Sequence, residues 1–165
     1  MHFVRFISSV NEWAGKAVSL LIFPIIVVVI YEVVMRYFLV KSQLWVPETS
    51  VFLFGALFVL GGGYALVHES HVKLDIIYNR FSKKTKAILD IATSIFFFLF
   101  CGVLIWKGGL TAWESLITME RSASAFAPIL FPIKFTIPVG AALLVLQGIS
   151  KLICDVATAF GGNKN

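Results

Sequence analysis

The chain has 165 residues, 59% of them hydrophobic and 14% charged, and its mean hydropathy is +0.91, more apolar than a soluble domain of this size carries. The net charge of +5 is not arranged as a basic stripe interleaved with polar contact groups, which excludes a soluble nucleic-acid-binding module. The two cysteines, Cys101 and Cys154, lie in apolar runs with no CxxC spacing, which excludes a disulfide scaffold or a zinc knuckle.

The N-terminus, MHFVRFISSVNEWAGKAVSLL, has a basic start followed by an apolar run and so imitates a signal peptide. The run is too long, and no small-x-small cleavage site follows it. It reads as an interfacial lead-in, with Trp13 at the headgroup level, entering an uncleaved first span over 17–39. The β-branched stretch IFPIIVVVIYEVV would favour a strand in water, but in lipid a lone strand leaves its amides unpaired, so helix is expected. Glu32 and Arg36 stand four apart near the outer end of this span, in the favourable order for pairing. Two readings of them stay open: a self-neutralising pair that snorkels outward, and a fixed polar contact to a partner helix.

After a short connection at 40–45, Trp45 and Pro47-Glu48 open a second span over 46–67. Proline gives up an amide that has no partner in a first turn, and glutamate complements the positive end of the helix dipole. Gly55, Gly61, Gly62 and Gly63 remove side chains from this span, which predicts a docking face for another backbone rather than a hinge.

The stretch GYALVHESHVKLD carries His68 and His71 three apart, with Asp75 four residues on. A zincin helix needs its histidines four apart, and a third ligand with an orienting second shell is missing, so no metal site is expected. Leu74, Ile77, Tyr78 and Phe81 recur on one helical face, predicting a short amphipathic helix over 73–81 on the cytoplasmic leaflet. Ser82 is placed to cap the third span, 87–106. The connection at 107–128 leads to a fourth span, 129–153, whose start Pro128, Pro132 and Pro138 should hold extended, with Gln147 deeper as an interhelical hydrogen bonder.

The fold class is therefore all-α: a single membrane domain over 1–165 with four transmembrane helices and one surface helix. No nucleophile–base pair, phosphate loop or acidic dyad occurs, so neither an enzyme nor a bound cofactor is expected. Orientation follows from the basic residues. Arg5, Lys16, Lys73, Arg80, Lys83, Lys84, Lys86, Lys151 and Lys164 fall on one side, nine in all; Arg36, Lys41, Lys107, Arg121 and Lys134 make five on the other. The side with nine is expected to be cytoplasmic and to hold both termini.

Several features fall in one order along nearly the whole chain: EVVMRYF with Glu32 and Arg36, WVPE with Trp45 and Glu48, HVKLD with His71 and Asp75, and ERSASAFAPILFPIKFTIPVG from Glu120 through Pro138, followed by Gln147. That order resembles the small permease subunit, the DctQ type, of tripartite ATP-independent periplasmic (TRAP) transporters. The resemblance implies a bacterial inner-membrane protein that works with a large permease subunit and a periplasmic solute-binding protein in sodium-coupled uptake of organic acids. It also implies that the large subunit binds substrate and sodium and moves like an elevator, while the small one is a fixed scaffold. The matched residues, with Gly61 and Gly62, are then candidates for partner interface or structural polar contacts. His71 and Asp75 would anchor the turn from the second span into the surface helix, with His68 outside the motif. The rival reading is a stand-alone four-helix carrier or channel, which would want a carboxylate deep in a span to couple protons; Glu32 lies toward the outer end with Arg36 beside it.

The basic asymmetry makes a direct topological prediction. On a cysteine-free background, single cysteines at Lys84 and Ser122 are expected to react with impermeant thiol reagents from opposite sides of the membrane. Labelling of both from the periplasm would overturn the assignment.

Overall fold

A computed structural model describes residues 2–41, 43–68 and 83–160. The expected surface helix at 73–81, His71, Asp75 and the Ser82 cap lie outside the described residues. Among those described, the helices in chain order are α1 His2–Ser19, α2 Ile22–Phe38, α3 Trp45–Val67, α4 Lys83–Ile117 and α5 Phe131–Phe160. No strand occurs among them, only an isolated antiparallel bridge between Arg121 and Ile129. Four stretches, Val4–Phe38, Trp45–Val67, Ile88–Ile117 and Phe131–Ala159, are long and apolar enough to cross a membrane. Large apolar side chains such as Phe58 and Phe96, each 75% exposed, would be untenable in water at this density and suit a lipid surround.

The first apolar stretch is not one helix over 17–39 but two, divided at Leu20 and Leu21. The last turn of α1 tightens to three-residue spacing, with the Leu20 amide donating to the Ala17 carbonyl at 3.3 Å and that of Leu21 to Val18 at 2.9 Å. Pro24 then occupies the third position of α2, inside the first turn, where a missing amide leaves no helical bond unmade. Proline is tolerated just after a break and not across one, so the chain restarts here. On α1, Ile7, Asn11 and Gly15 recur every four residues and are buried, while Phe6, Trp13 and Leu20 are exposed on another face.

α4 continues to Ile117, well beyond the expected end at 106. Gly108 and Gly109 do not stop it, because α4 runs against α5 there: a β-carbon at Gly108 would sit 2.8 Å from the Ile137 side chain. The helix ends in a Schellman turn, in which the Met119 amide donates to Leu116 at 3.3 Å and the Glu120 amide to Ser115 at 3.0 Å. Met119 takes the left-handed position, φ 47°, that glycine usually fills. The prolines of the next segment also depart from expectation. Only Pro128 lies in extended chain, since α5 starts at Phe131, holds Pro132 in its first turn and carries Pro138 in its interior. A transmembrane segment has no alternative to helix for its remaining amides, so Pro138 is absorbed rather than obeyed.

α5 is the centre of the bundle. It packs on α4, α3 and α1, whereas α2 packs on α3. In its most apolar stretch α5 is 28% buried, against 6% for each of the other three. The α3–α5 crossing is close enough that a β-carbon at Gly140 would overlap the backbone carbonyl of Val59.

Two substitutions of opposite sign test this account by thermal unfolding in detergent. Gly140→Ala is expected to destabilise by about 1–3 kcal/mol, since a backbone carbonyl cannot step aside. Met119→Gly is expected to stabilise by about 1 kcal/mol by relieving the left-handed strain.

Candidate partner interface and polar contacts

The polar side chains singled out in the sequence fall at three levels. At the end where α3 and α5 begin, the connection 118–130 folds back on itself. The Schellman turn delivers Glu120, whose carbonyl accepts from the Leu130 amide at 2.9 Å, and the Ser122 amide donates to Pro128 at 2.9 Å. This hairpin is fastened to both neighbouring helices. Ser124 Oγ donates to Glu48 Oε2 at 2.6 Å on α3, and Lys134 Nζ on α5 is ion-paired to Glu120 Oε2. The Lys134 ammonium holds the Glu120 carboxyl below its ordinary value of 4.5.

At the same end, Arg36 closes on Glu32 within α2. Its Nη2 lies 2.6 Å and its Nε 3.2 Å from one oxygen, Oε1. The Glu32 side chain is 13% exposed and that of Arg36 57%, so the carboxylate is shielded while the guanidinium reaches outward, as a snorkelling pair does. Trp45 packs its ring 5.6 Å from Tyr31, joining α2 to the start of α3.

In the body of the bundle, Gln147 finds a partner that the sequence reading did not name. Asn11 Nδ2 donates to Gln147 Oε1 at 3.4 Å and to the Ile7 carbonyl at 3.3 Å. Both amides are buried, at 1% and 7% exposure. Asn11 Oδ1 has no hydrogen-bond partner among the described residues and faces Gly63, where a β-carbon would overlap it. Gly63 therefore meets Asn11 with a Cα–H, a weak donor that a side chain would displace. The signal for Asn11 was its place between Ile7 and Gly15 at four-residue spacing, hidden because this stretch reads as a lead-in.

The glycines of α3 do not form one docking face. Gly55 and Gly62 look onto Ile133 and Leu144 of α5 at ordinary contact, 3.5 and 3.4 Å from a β-carbon, whereas Gly61 has nothing within 4 Å. Gly61 lines a groove of about 180 Å³ with Gly15, Leu57 and Tyr64, and Lys16 lies at its rim. Pro138 sits beside Gly108 at the α4–α5 contact. The His68 ring lies 4.4 Å from that of Tyr64. Among the described residues no group of three His, Cys, Asp or Glu could hold a metal.

A third polar level lies near the start of α4. Lys151 Nζ is 2.7 Å from Asp90 Oδ2 and 3.9 Å from Asp155 Oδ2, at the edge of a cleft of about 260 Å³. In the sequence Lys151 counts only as an orienting charge. The four-residue spacing of Lys151 and Asp155 was the available signal, but Asp90 joins them only through the α4–α5 packing.

Residues 25–158, most of the chain, match the family described as tripartite ATP-independent periplasmic transporters, DctQ component. No curated protein matches the sequence.

The Glu120–Lys134 pair yields a pH prediction. Because the folded-state carboxyl is lowered, its stabilisation is fully present above about pH 4.5 and is lost as pH falls through the lowered value. Thermal unfolding is expected to show a drop in stability below pH 4.5 that is smaller in Glu120→Gln. An equal drop in both would remove this pair from the account.

Proposed function

The chain belongs to the DctQ family, the small permease component of TRAP transporters, and we propose that it is the stationary subunit against which the large permease subunit moves. Members of this family work with a large permease and a periplasmic binding protein. In this reading, uptake is sodium-coupled, the cargo is an organic acid, and the large subunit binds both. The chain would lie in the inner membrane with both termini cytoplasmic.

The observation that carries the scaffold reading is that α5 is tied at three levels along its length. Glu120 reaches it through Lys134, Asn11 through Gln147, and Asp90 through Lys151. A moving barrier needs a fixed counterpart, and a helix tied near its start and at two successive turns of its second half resists sliding against its neighbours. The described carboxylates at these ties are engaged with cations of the same chain, which fits a subunit that leaves ion binding to its partner. A proton-coupled carrier would instead want a deep carboxylate available to titrate, and Glu32 is bonded to Arg36.

The candidate residues then divide by task. Glu48, Glu120, Pro138 and Gln147 hold this chain's own helices together. Glu32, Arg36 and Trp45 sit where α2 meets α3 and Gly61 lines the groove between α1 and α3; these positions, with the exposed Phe23, Val27, Ile30 and Phe58, are proposed to support the large subunit. His71 and Asp75 keep the anchoring role that the family motif implies.

The two adjacent glycines separate partner binding from folding. Gly61→Leu is expected to lower co-purification with the large subunit while this chain stays in the membrane at normal abundance. Gly62→Leu drives into Leu144 and should destabilise this chain itself by about 1–3 kcal/mol. If Gly61→Leu leaves the complex intact, the α1–α3 groove is not part of the interface. Spin labels at Gln43 and Ser122 should report one distance distribution with and without sodium in the assembled complex, and a shift of several ångströms would place this subunit among the moving parts.

A further inference from the structure

α1 carries an ion pair on its outer surface at a depth where lipid cannot solvate it. Glu12 Oε1 and Lys16 Nζ lie 3.2 Å apart, with their side chains 44% and 69% exposed. Contacts with neighbouring helices fix the level of the pair. Asn11 meets Gly63 of α3 and Gln147 of α5, while Lys16 and Ser19 line a groove with Leu57 and Gly61. Gly61 is six residues, about 9 Å, short of the end of α3 at Val67. Gln147 is four residues short of Lys151, and α1 runs on from Asn11 away from Lys151 by five residues to Lys16. Lys16 thus lies about 14 Å from the level of Lys151.

An apolar layer about 30 Å thick that begins at the Asp90–Lys151 tie ends about 20 residues on, near Leu110 in α4 and at Phe131, the first residue of α5. Begun at Lys16 instead, the same thickness would take in Glu32, Glu48 and Lys134. The pair therefore sits inside the layer and on the outside of the bundle, where acyl chains offer it no hydrogen bond. Trp13 and Lys16, expected from the sequence at the headgroups, move inward together.

We propose, on the premise that this chain partners the large permease subunit, that Glu12 and Lys16 anchor a transmembrane helix of that subunit which presents a neutral oxygen acceptor, from Asn, Gln, Ser or Thr, to Lys16. An ammonium has three donors, and the Glu12 carboxylate does not use them all. The pair is already neutral, so a further carboxylate would stand uncompensated in a low dielectric, which selects the neutral acceptor. Beside the pair, Gly61 has nothing within 4 Å of its β-carbon position, and the groove of about 180 Å³ it lines lets a second backbone come close. Trp13, three residues before Lys16 and 75% exposed, adds a broad apolar contact at the same place.

Co-purification of the large subunit with the full chain, read against the abundance of this chain in the membrane, tests the anchor. Lys16→Met leaves Glu12 unpaired at the contact and is expected to weaken the complex about tenfold or more. Glu12→Gln combined with Lys16→Met should weaken it less, and Lys16→Arg, which keeps charge and donors, should retain it. A complex indifferent to Lys16→Met overturns this proposal alone, whereas no complex with the unaltered chain overturns the partner premise as well. Depth is measured without the partner, and decides the matter if Lys16→Met does not accumulate. A spin label at the exposed Ala17, in the isolated full chain in bilayers, is expected to be reached by oxygen in preference to a water-soluble nickel chelate. The reverse preference places the pair at the headgroups and overturns the proposal whether or not the complex forms.

Discussion

Helices in lipid gain nothing from hiding apolar surface from one another, because the acyl chains are as apolar as leucine. What holds them is close backbone approach and paired polar groups, and in this chain both converge on α5. Gly140 brings α5 against the Val59 carbonyl of α3, Gln147 takes the Asn11 amide of α1, and Lys151 takes the Asp90 carboxylate of α4. Take α5 away and α1 loses the hydrogen bond that fixes its depth, while α4 loses its longest contact. α2 stands apart, resting on α3 and spending the Glu32–Arg36 ion pair on itself. Among the described residues the bundle is thus a packed group of four helices with a fifth laid along its side.

The span count and the all-helical class were legible because they follow from length and composition, which no tertiary detail can reverse. The boundaries were not, and each miss has a local cause. Pro24 was visible within the first apolar run, but its meaning depends on whether the chain breaks before it, and Leu20-Leu21 carries no breaker residue of its own. The extension of α4 passes two consecutive glycines that, in a soluble protein, would end a helix. Here the α5 contact at Ile137 needs the space that Gly108 leaves, so the same residue that weakens propensity strengthens packing. Pro138 misled in the same direction, since a residue that ends helices in water has nowhere else to put its neighbours' amides in lipid.

The polar contacts were legible only where both partners lie on one helix. Glu32 with Arg36 could be read from spacing, and the structure closes that pair within α2. Gln147 could be read as a hydrogen bonder but not as Asn11's, because 136 residues separate them. Asp90 with Lys151 and Glu48 with Ser124 are likewise products of the fold. Gly61 and Gly62 make the sharpest case. Adjacent residues on a helix point about 100° apart, so one faces α5 and the other open space. No reading of four clustered glycines could sort them without knowing where α5 lies.

The distribution of charge bears on what the chain can contribute to transport. A conduit for ions or acids needs polar groups whose partners are exchangeable, since a site that never releases its counter-ion cannot take up a cargo. Here Arg36 and Lys134 are committed to Glu32 and Glu120, and Lys151 to Asp90, and each pair knits the chain to itself. The faces left over, such as Phe23, Val27 and Ile30 on α2 and Phe58 on α3, are apolar. Such a surface offers shape and no exchangeable charge, which fits the proposal of a stationary wall for the large subunit.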